Sequence, residues 1–333
     1  MPTPLTEPEI SAETSPASTA QGGADDLGAL VARSVDASAY VGDPTVACLL
    51  DDIHRRHGSS VAAVLMYGSY LRGKRDTLLD FYVLLENFQG ALPRAWHQLA
   101  NRLLPPNVYY QCVPGDDGEA RSKYATLTVR QFERAMKGDF HSYFWSRFTQ
   151  PCALIFSRDA QSERRVLDAL QNATITFIEA VLPVLAERFS SRELWQTGFG
   201  LTYRAELRAE GKDRIAELFE TNAQHFDSLC NAYARLPHSR VDLTDEGVFR
   251  QRDFSPKRNA ILTWAVRTWL GKLLSALRII KAAGTFDDPL DYLLWKIRRH
   301  SGIYIEPTDR QRRYPLLFAW PLLWRLYRLG AFR

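Results

Sequence analysis

Two short stretches of this 333-residue chain hold residue types whose spacing could do chemistry: Met66-Tyr67-Gly68-Ser69 and, after ten intervening residues, Asp80-Phe81-Tyr82. A Gly-Ser pair ending an apolar run offers backbone N–H groups and a hydroxyl to a polyphosphate, because the turn and the helix N-terminus beyond it favour anions. A carboxylate on the adjacent strand can then hold Mg²⁺ against the same phosphates. Lys74, Arg75 and Asp76, between the two stretches, read as a solvated loop.

Both stretches need elements to position them. Residues 43–57 place Val46, Leu49, Leu50 and Ile53 at spacings of three and four, a helical pattern. Residues 61–66 are a continuous apolar run that suits a buried strand, and residues 78–85 are a second, so the simplest reading is strand, glycine turn, short helix, strand. Further strands are predicted at 108–113, at 123–129 beyond the Gly115-Asp116-Asp117-Gly118 turn, and at 152–156 after Pro151, with helices over 93–104 and 129–137. Beyond about residue 160 helical patterns dominate, over 164–188, 214–235, 258–283 and 289–299, and Ser190 with Glu193 has the form of a capping box. The expected architecture is a disordered acidic tail (1–42), an α/β domain with a mixed sheet (43–160), a mainly helical domain (161–305) and a basic, aromatic segment (306–333).

A hydrophobic-Gly-Ser turn followed by Asp on the next strand is similar to the nucleotidyltransferase pattern, which continues as Asp-x-Asp; here Tyr82 holds the second carboxylate position. Within that fold, Tyr67-Gly68-Ser69 with Leu79-Asp80-Phe81 resembles the mitochondrial translocator assembly and maintenance type of CTP:phosphatidate cytidylyltransferase, whose Leu-Asp-Phe strand lacks the same carboxylate. Trp96-His97, Val108-Tyr109-Tyr110 and Lys123-Tyr124 match that family in order, and Tyr143, Arg147 and Pro151 fall on its Tyr-x-x-x-Arg-x-x-x-Pro. Gly200-Leu201, Tyr203, Arg208, Lys212, Asn222, His225 and Phe226 follow its helical region. The sequence departs from the family at Tyr70, which replaces a glycine and on this reading narrows the approach to the phosphates, at Ala100, and at Arg204-Ala205.

The resemblance implies an α/β nucleotidyltransferase fold that uses Mg²⁺, CTP and phosphatidate to make CDP-diacylglycerol and pyrophosphate. The missing carboxylate then has a rationale. A further carboxylate helps to ionise a hydroxyl nucleophile, whereas a phosphate monoester with a second pKa near ~6 is already largely anionic and needs its charge screened. Asp80 is expected to be catalytic and to hold Mg²⁺, with Glu86 or a water completing the shell. Gly68, Ser69 and Tyr109 are expected to bind the nucleotide, and Lys123 and Arg147 to screen the phosphates. His97 and His225 read as structural groups, because the reaction needs little proton transfer. Two other readings stay open: a nucleotidyltransferase with another acceptor, such as an RNA end or a phosphorylated small molecule, and a catalytically silent membrane-associated scaffold of the same fold.

Composition sets the remaining limits. Four cysteines without a CxxC pair argue against a disulfide framework or a zinc ribbon. The net charge of +4 conceals an uneven distribution: the first 26 residues have five acidic and no basic side chains, whereas residues 251–333 have 16 Lys/Arg against 6 Asp/Glu. An acidic start is unlike a mitochondrial presequence or a secretory signal. No run of eighteen uncharged apolar residues offers a transmembrane helix. The Arg310–Arg313 stretch and the Leu/Trp/Tyr-rich residues after it are instead expected to meet an anionic membrane surface, with lipid favoured over nucleic acid. The expected setting is peripheral, on the cytoplasmic face of a bacterial cell membrane.

Overall fold

A computed structural model describes residues 22–73, 77–89, 91–92, 95–115, 118–206, 212–254, 258–285 and 306–313, together with Leu294, Pro321 and Trp324. Five strands form a mixed sheet in the order β3-β4-β2-β1-β5: β1 (Val61–Tyr67), β2 (Leu79–Leu85), β3 (Asn107–Gly115), β4 (Gly118–Thr128) and β5 (Ala153–Ser157). The β2–β4 pair is parallel and the other pairs are antiparallel. The two apolar runs become β1 and β2 because helices cover both sides of the sheet, and a strand buried on both faces has no polar face to alternate.

Side-chain parity divides the core. Val64, Met66, Phe81, Val83, Tyr109 and Tyr124 face α2 (Pro44–His57), which contributes Val46, Leu49 and Ile53. Asp43 caps α2, accepting from the Thr45 and Val46 amides. Ala63, Leu65, Tyr82, Leu84, Ala125 and Leu127 face the other way, in a cluster with α4 (Val129–Met136) and α5 (Ala160–Val181). A short helix, α3 (Ala95–Leu103), links β2 to β3.

The helical region comprises α5, α6 (Ser191–Ala205), α7 (Lys212–Thr221), α8 (Ala223–Ala234) and α9 (Arg258–Thr285). The capping box at α6 forms as expected: the Glu193 amide donates to the Ser190 hydroxyl and the Ser190 amide to the Glu193 carboxylate. Three expectations change. Helix α5 stops at Val181, short of residue 188, because Pro183 supplies no amide to continue it. The single helix expected over 214–235 is two helices that break at Asn222, whose side chain donates to the Leu218 carbonyl. A three-stranded sheet, β6 (Arg188–Phe189), β8 (Phe249–Gln251) and β7 (Val241–Leu243), escapes sequence reading because two or three residues are too few to show a period.

Two domain boundaries are corrected. Residues 22–34 are not tail but the helix α1 (Gly22–Ser34), and Leu27, Val31 and the following Val35 are buried in the main core against α5 and α8. Residues 1–21 lie outside the described residues. The division at 160 is no break in packing, since one cluster runs from Leu27 through Tyr82 and Trp145 to Phe226 and Trp264. The helix expected over 289–299, apart from Leu294, and most of the segment 306–333 also lie outside the described residues.

Helices α5 and α6 cross at Gly198, where a β-carbon would collide with the Phe177 ring, and α6 and α9 cross at Gly271, where it would meet the Ala205 carbonyl. Two histidines are held neutral inside this core. Burial lowers the pKa of His57, whose ring bonds the Ala91 carbonyl and the Tyr124 hydroxyl. Burial pushes His225 down to about 4 from 6.5, against a hydrogen bond with the Thr149 backbone. A His with a depressed folded pKa takes up its proton first in the unfolded chain, so the stability it supports is complete above pH 6.5 and is lost as pH falls toward 4. For His225 the loss is on the order of 3 kcal/mol. Urea midpoints measured between pH 7 and pH 4 should fall with acidity, and His225→Gln should flatten that slope.

Candidate functional site

The site residues converge at one end of the sheet. Antiparallel pairing places Tyr67, the last residue of β1, opposite Asp80, and parallel pairing places Lys123 of β4 beside Asp80 on the other side. Cross-strand partners share a face, so Tyr67, Asp80 and Lys123 project toward the same side as Tyr82. The Lys123 Nζ lies 3.4 Å from the Asp80 Oδ1. Gly68 turns directly over this carboxylate with φ +95°, and a β-carbon there would sit 2.9 Å from Asp80 Oδ2. Both the left-handed backbone and the close approach require glycine. Ser69 follows, its hydroxyl bonded to Thr77 Oγ1 at 2.9 Å.

Tyr70 does not narrow the approach to this turn. Its ring is buried in the α2-side core, and its hydroxyl donates to Asp43 Oδ2 at 2.7 Å, tying the turn to the cap of α2.

The second carboxylate position is occupied by a different kind of group. Tyr82 lies two residues beyond Asp80 on the same face, fully buried, and its hydroxyl accepts from Arg147 Nη1 at 3.0 Å. Arg147 also donates to the Tyr143 hydroxyl at 3.3 Å, pairs with Glu206 at 3.3 Å, and sets its guanidinium 5.8 Å from the centre of the Tyr67 ring. Glu206 is buried, at 6% exposure, and Arg147, at 14%, is exposed only toward the cleft. Burial works against the charge on Arg147, but Tyr82, Tyr143 and Glu206 outweigh it and raise its pKa well above the usual value. Tyr143 is packed between two guanidiniums, with Arg278 of α9 4.2 Å from its ring centre; burial would raise its pKa, but Arg147 and Arg278 lower it.

A cleft of about 230 Å³ opens beside these groups; of the expected site residues Gly68 and Arg147 line it, whereas Asp80, Lys123 and Ser69 are not in its lining. Tyr67, Gly68 and Arg72 line it from the turn, Arg147 and Gln150 from the segment before β5, and Arg214 and Asn222 from α7 and its end. Three arginines face one acidic residue, Glu217, which is paired with Arg214 at 2.8 Å. Such a cleft suits a ligand with several negative charges.

The structure separates two expected residues from this group. Tyr109 pairs with Tyr124 on the opposite face of the sheet, where the two rings stack 5.2 Å apart beneath α2, so it is a core residue rather than a nucleotide contact. Glu86 lies just past the far end of β2, about 20 Å from Asp80 by strand rise. It pairs there with Arg158 at 3.2 Å and Arg165 at 3.5 Å and cannot share an ion with Asp80. His97 and His225 are absent from the cleft lining: His97, on α3, packs against Tyr109, and His225, on α8, bonds the Thr149 backbone. Arg208 and the Lys212 side chain lie outside the described residues, as do Lys74, Arg75 and Asp76.

Sequence reading missed Arg72, Arg214 and Glu206. Arg72 carries a faint signal, being three residues after Ser69 in the glycine turn. Arg214 is one arginine among many on a helix, and nothing in the sequence connects Glu206 to Arg147 across 59 residues.

Among the described residues no group of three or more His, Cys, Asp or Glu is placed to hold a metal ion. Asp80 is a lone carboxylate, which fits Mg²⁺ of the kind held by one protein ligand together with substrate phosphates. Two substitutions test the architecture. Gly68→Ala should lose about 1–2 kcal/mol in urea denaturation and displace Asp80. Glu206→Gln should lose about 3 kcal/mol by leaving a buried guanidinium without its counter-charge, whereas Glu217→Gln at the exposed rim should lose less than about 1 kcal/mol.

No protein-family model matches the chain, and a search of curated proteins returns no match.

Proposed function

We propose that this protein is a nucleotidyltransferase that joins CTP to phosphatidate, forming CDP-diacylglycerol and releasing pyrophosphate. The observation that carries the reading is that the position two residues beyond Asp80 on the same face holds Tyr82, whose hydroxyl accepts from the Arg147 guanidinium, rather than a second carboxylate. A site that must ionise an alcohol gains from a second carboxylate; a site whose nucleophile is already a phosphate anion gains from a cation.

In this reading an oxygen of the phosphatidate phosphate attacks the α-phosphorus of CTP, the bond to the β-phosphate breaks, and pyrophosphate departs with the electron pair. The monoester is largely dianionic at neutral pH, so no general base is required. The Gly68 backbone and Ser69 hydroxyl orient the triphosphate over the sheet end. Lys123, beside Asp80, and Arg147, over the Tyr67 ring, offset the repulsion between nucleophile and triphosphate. Arg72 and Arg214 extend the positive lining toward the cleft mouth. Asp80 would hold Mg²⁺ together with phosphate oxygens, and that ion supplies Lewis-acid stabilisation of the transferring phosphoryl group. The segment 306–333 would add contact with an anionic membrane.

Purified protein incubated with Mg²⁺, labelled CTP and phosphatidate vesicles should yield CDP-diacylglycerol. Asp80→Asn should reduce turnover by at least about a thousandfold while circular dichroism and thermal midpoint stay at the wild-type values. Turnover retained by Asp80→Asn removes the assigned role. CTP consumed with a soluble phosphomonoester but not with phosphatidate removes the lipid acceptor, and absence of both turnover and CTP binding removes the enzyme.

A further inference from the structure

The helix α9 presents two faces of opposite meaning. Its inner face is fixed to the body of the protein: Trp264 is buried with its indole N–H on the Ala180 carbonyl, Gly271 lies against Ala205, and Arg278 donates to the Pro105 carbonyl at 2.9 Å. Lys281 completes the anchorage, donating to the carbonyls of Leu104 and Pro106 and to Asn107 Oδ1. The outer face carries Leu262, Val266, Trp269, Leu273, Leu277 and Ile280 at successive spacings of three and four, a single stripe opposite the anchors. These side chains are exposed, Trp269 to 68% and Ile280 to 71%. Helix α3 adds Trp96, Leu99 and Leu103, also exposed, where its end meets Lys281. Soluble monomers rarely display an apolar surface of this extent unless it meets a partner.

We propose that the outer face of α9, extended by α3, docks on an anionic lipid bilayer. Charge selects the occupant. Lys272 of α9 and Arg102 of α3 are exposed, and neither helix carries an acidic residue. A second copy of the chain would set these cations against their equals, and the residues after Asp309 of this chain contain no acidic side chain either. An anionic surface is attracted by the same distribution, and exposed Trp and Leu enter its headgroup boundary. No helix among the described residues is long and apolar enough to cross a membrane, so the contact is lateral.

The inner face of α9 reaches the Tyr143–Arg147 group. Arg278, on the inner side of α9, lies over Tyr143, and the Tyr143 hydroxyl accepts from Arg147. A bilayer seated on the outer face of α9 is separated from Arg147 by the width of the helix, about 10 Å, and by the Tyr143 ring. The bearing of this placement on turnover rests on the proposed lipid acceptor, but the docking itself does not.

Flotation of the full-length protein with vesicles, in the absence of CTP and phosphatidate, reads the docking alone. Wild type should float with vesicles of phosphatidylcholine containing about 30 mol% phosphatidylglycerol and poorly with phosphatidylcholine alone. The double variant Trp269→Glu/Leu273→Glu should lose binding at least about tenfold with an unchanged thermal midpoint, while Val41→Glu, exposed elsewhere, should bind as wild type. Wild-type binding by the double variant overturns the proposal. So does failure of the wild type to float, or a dimer of the free protein that the double variant dissociates. Turnover of a short-chain, water-soluble phosphatidate by the double variant would separate the two readings: docking lost with turnover kept supports both, and docking lost in a protein that never turns over supports this one alone.

Discussion

A buried guanidinium organises this molecule. Arg147 sits between the sheet, the segment before β5 and the helical region, and satisfies its donors on Tyr82, Tyr143 and Glu206. An uncompensated charge in that position would be strongly unfavourable, so β2, the loop of Tyr143 and the end of α6 must all be in place before the ion is tolerated. The same requirement joins the two halves of the chain. Glu206 closes α6 and Arg278 belongs to α9, so the helical region helps to build the site rather than merely standing beside it.

The end of the sheet adds a second constraint. Asp80 is held by a lysine on a parallel neighbour and by a glycine that leaves no room for a side chain. A carboxylate confined in this way keeps its position when a charged ligand arrives. The buried Tyr70, bonded to the cap of α2, braces the same turn from behind. A residue that reads from sequence as an obstruction is thus part of the support.

Much of the sheet was legible because it depends on local pattern. The runs that became β1 and β2, the strands after them, α2 and the α6 capping box all announce themselves through apolar runs, turn residues, helical spacing and a cap. Tyr109 and Glu86 were misplaced for one reason: sequence spacing says how far apart two residues are along a strand, but the pleat decides which face each meets and the strand rise decides which end. Tyr109 pairs with Tyr124 rather than Lys123, and that one-residue difference turns it to the other side of the sheet.

The sequence by itself determined the chemistry on offer: a glycine turn, one carboxylate with a tyrosine in place of the second, and a basic, aromatic C-terminal quarter. These are properties of residue type and short-range spacing, which no packing can change. Only the tertiary structure decided that Tyr82 is paired with Arg147, that Glu206 neutralises it, that residues 22–34 belong to the core and that α9 leaves an apolar face outward. Each is a contact between segments tens of residues apart, and such contacts are set by how helices and sheet close around a shared core, a long-range condition that no local periodicity records.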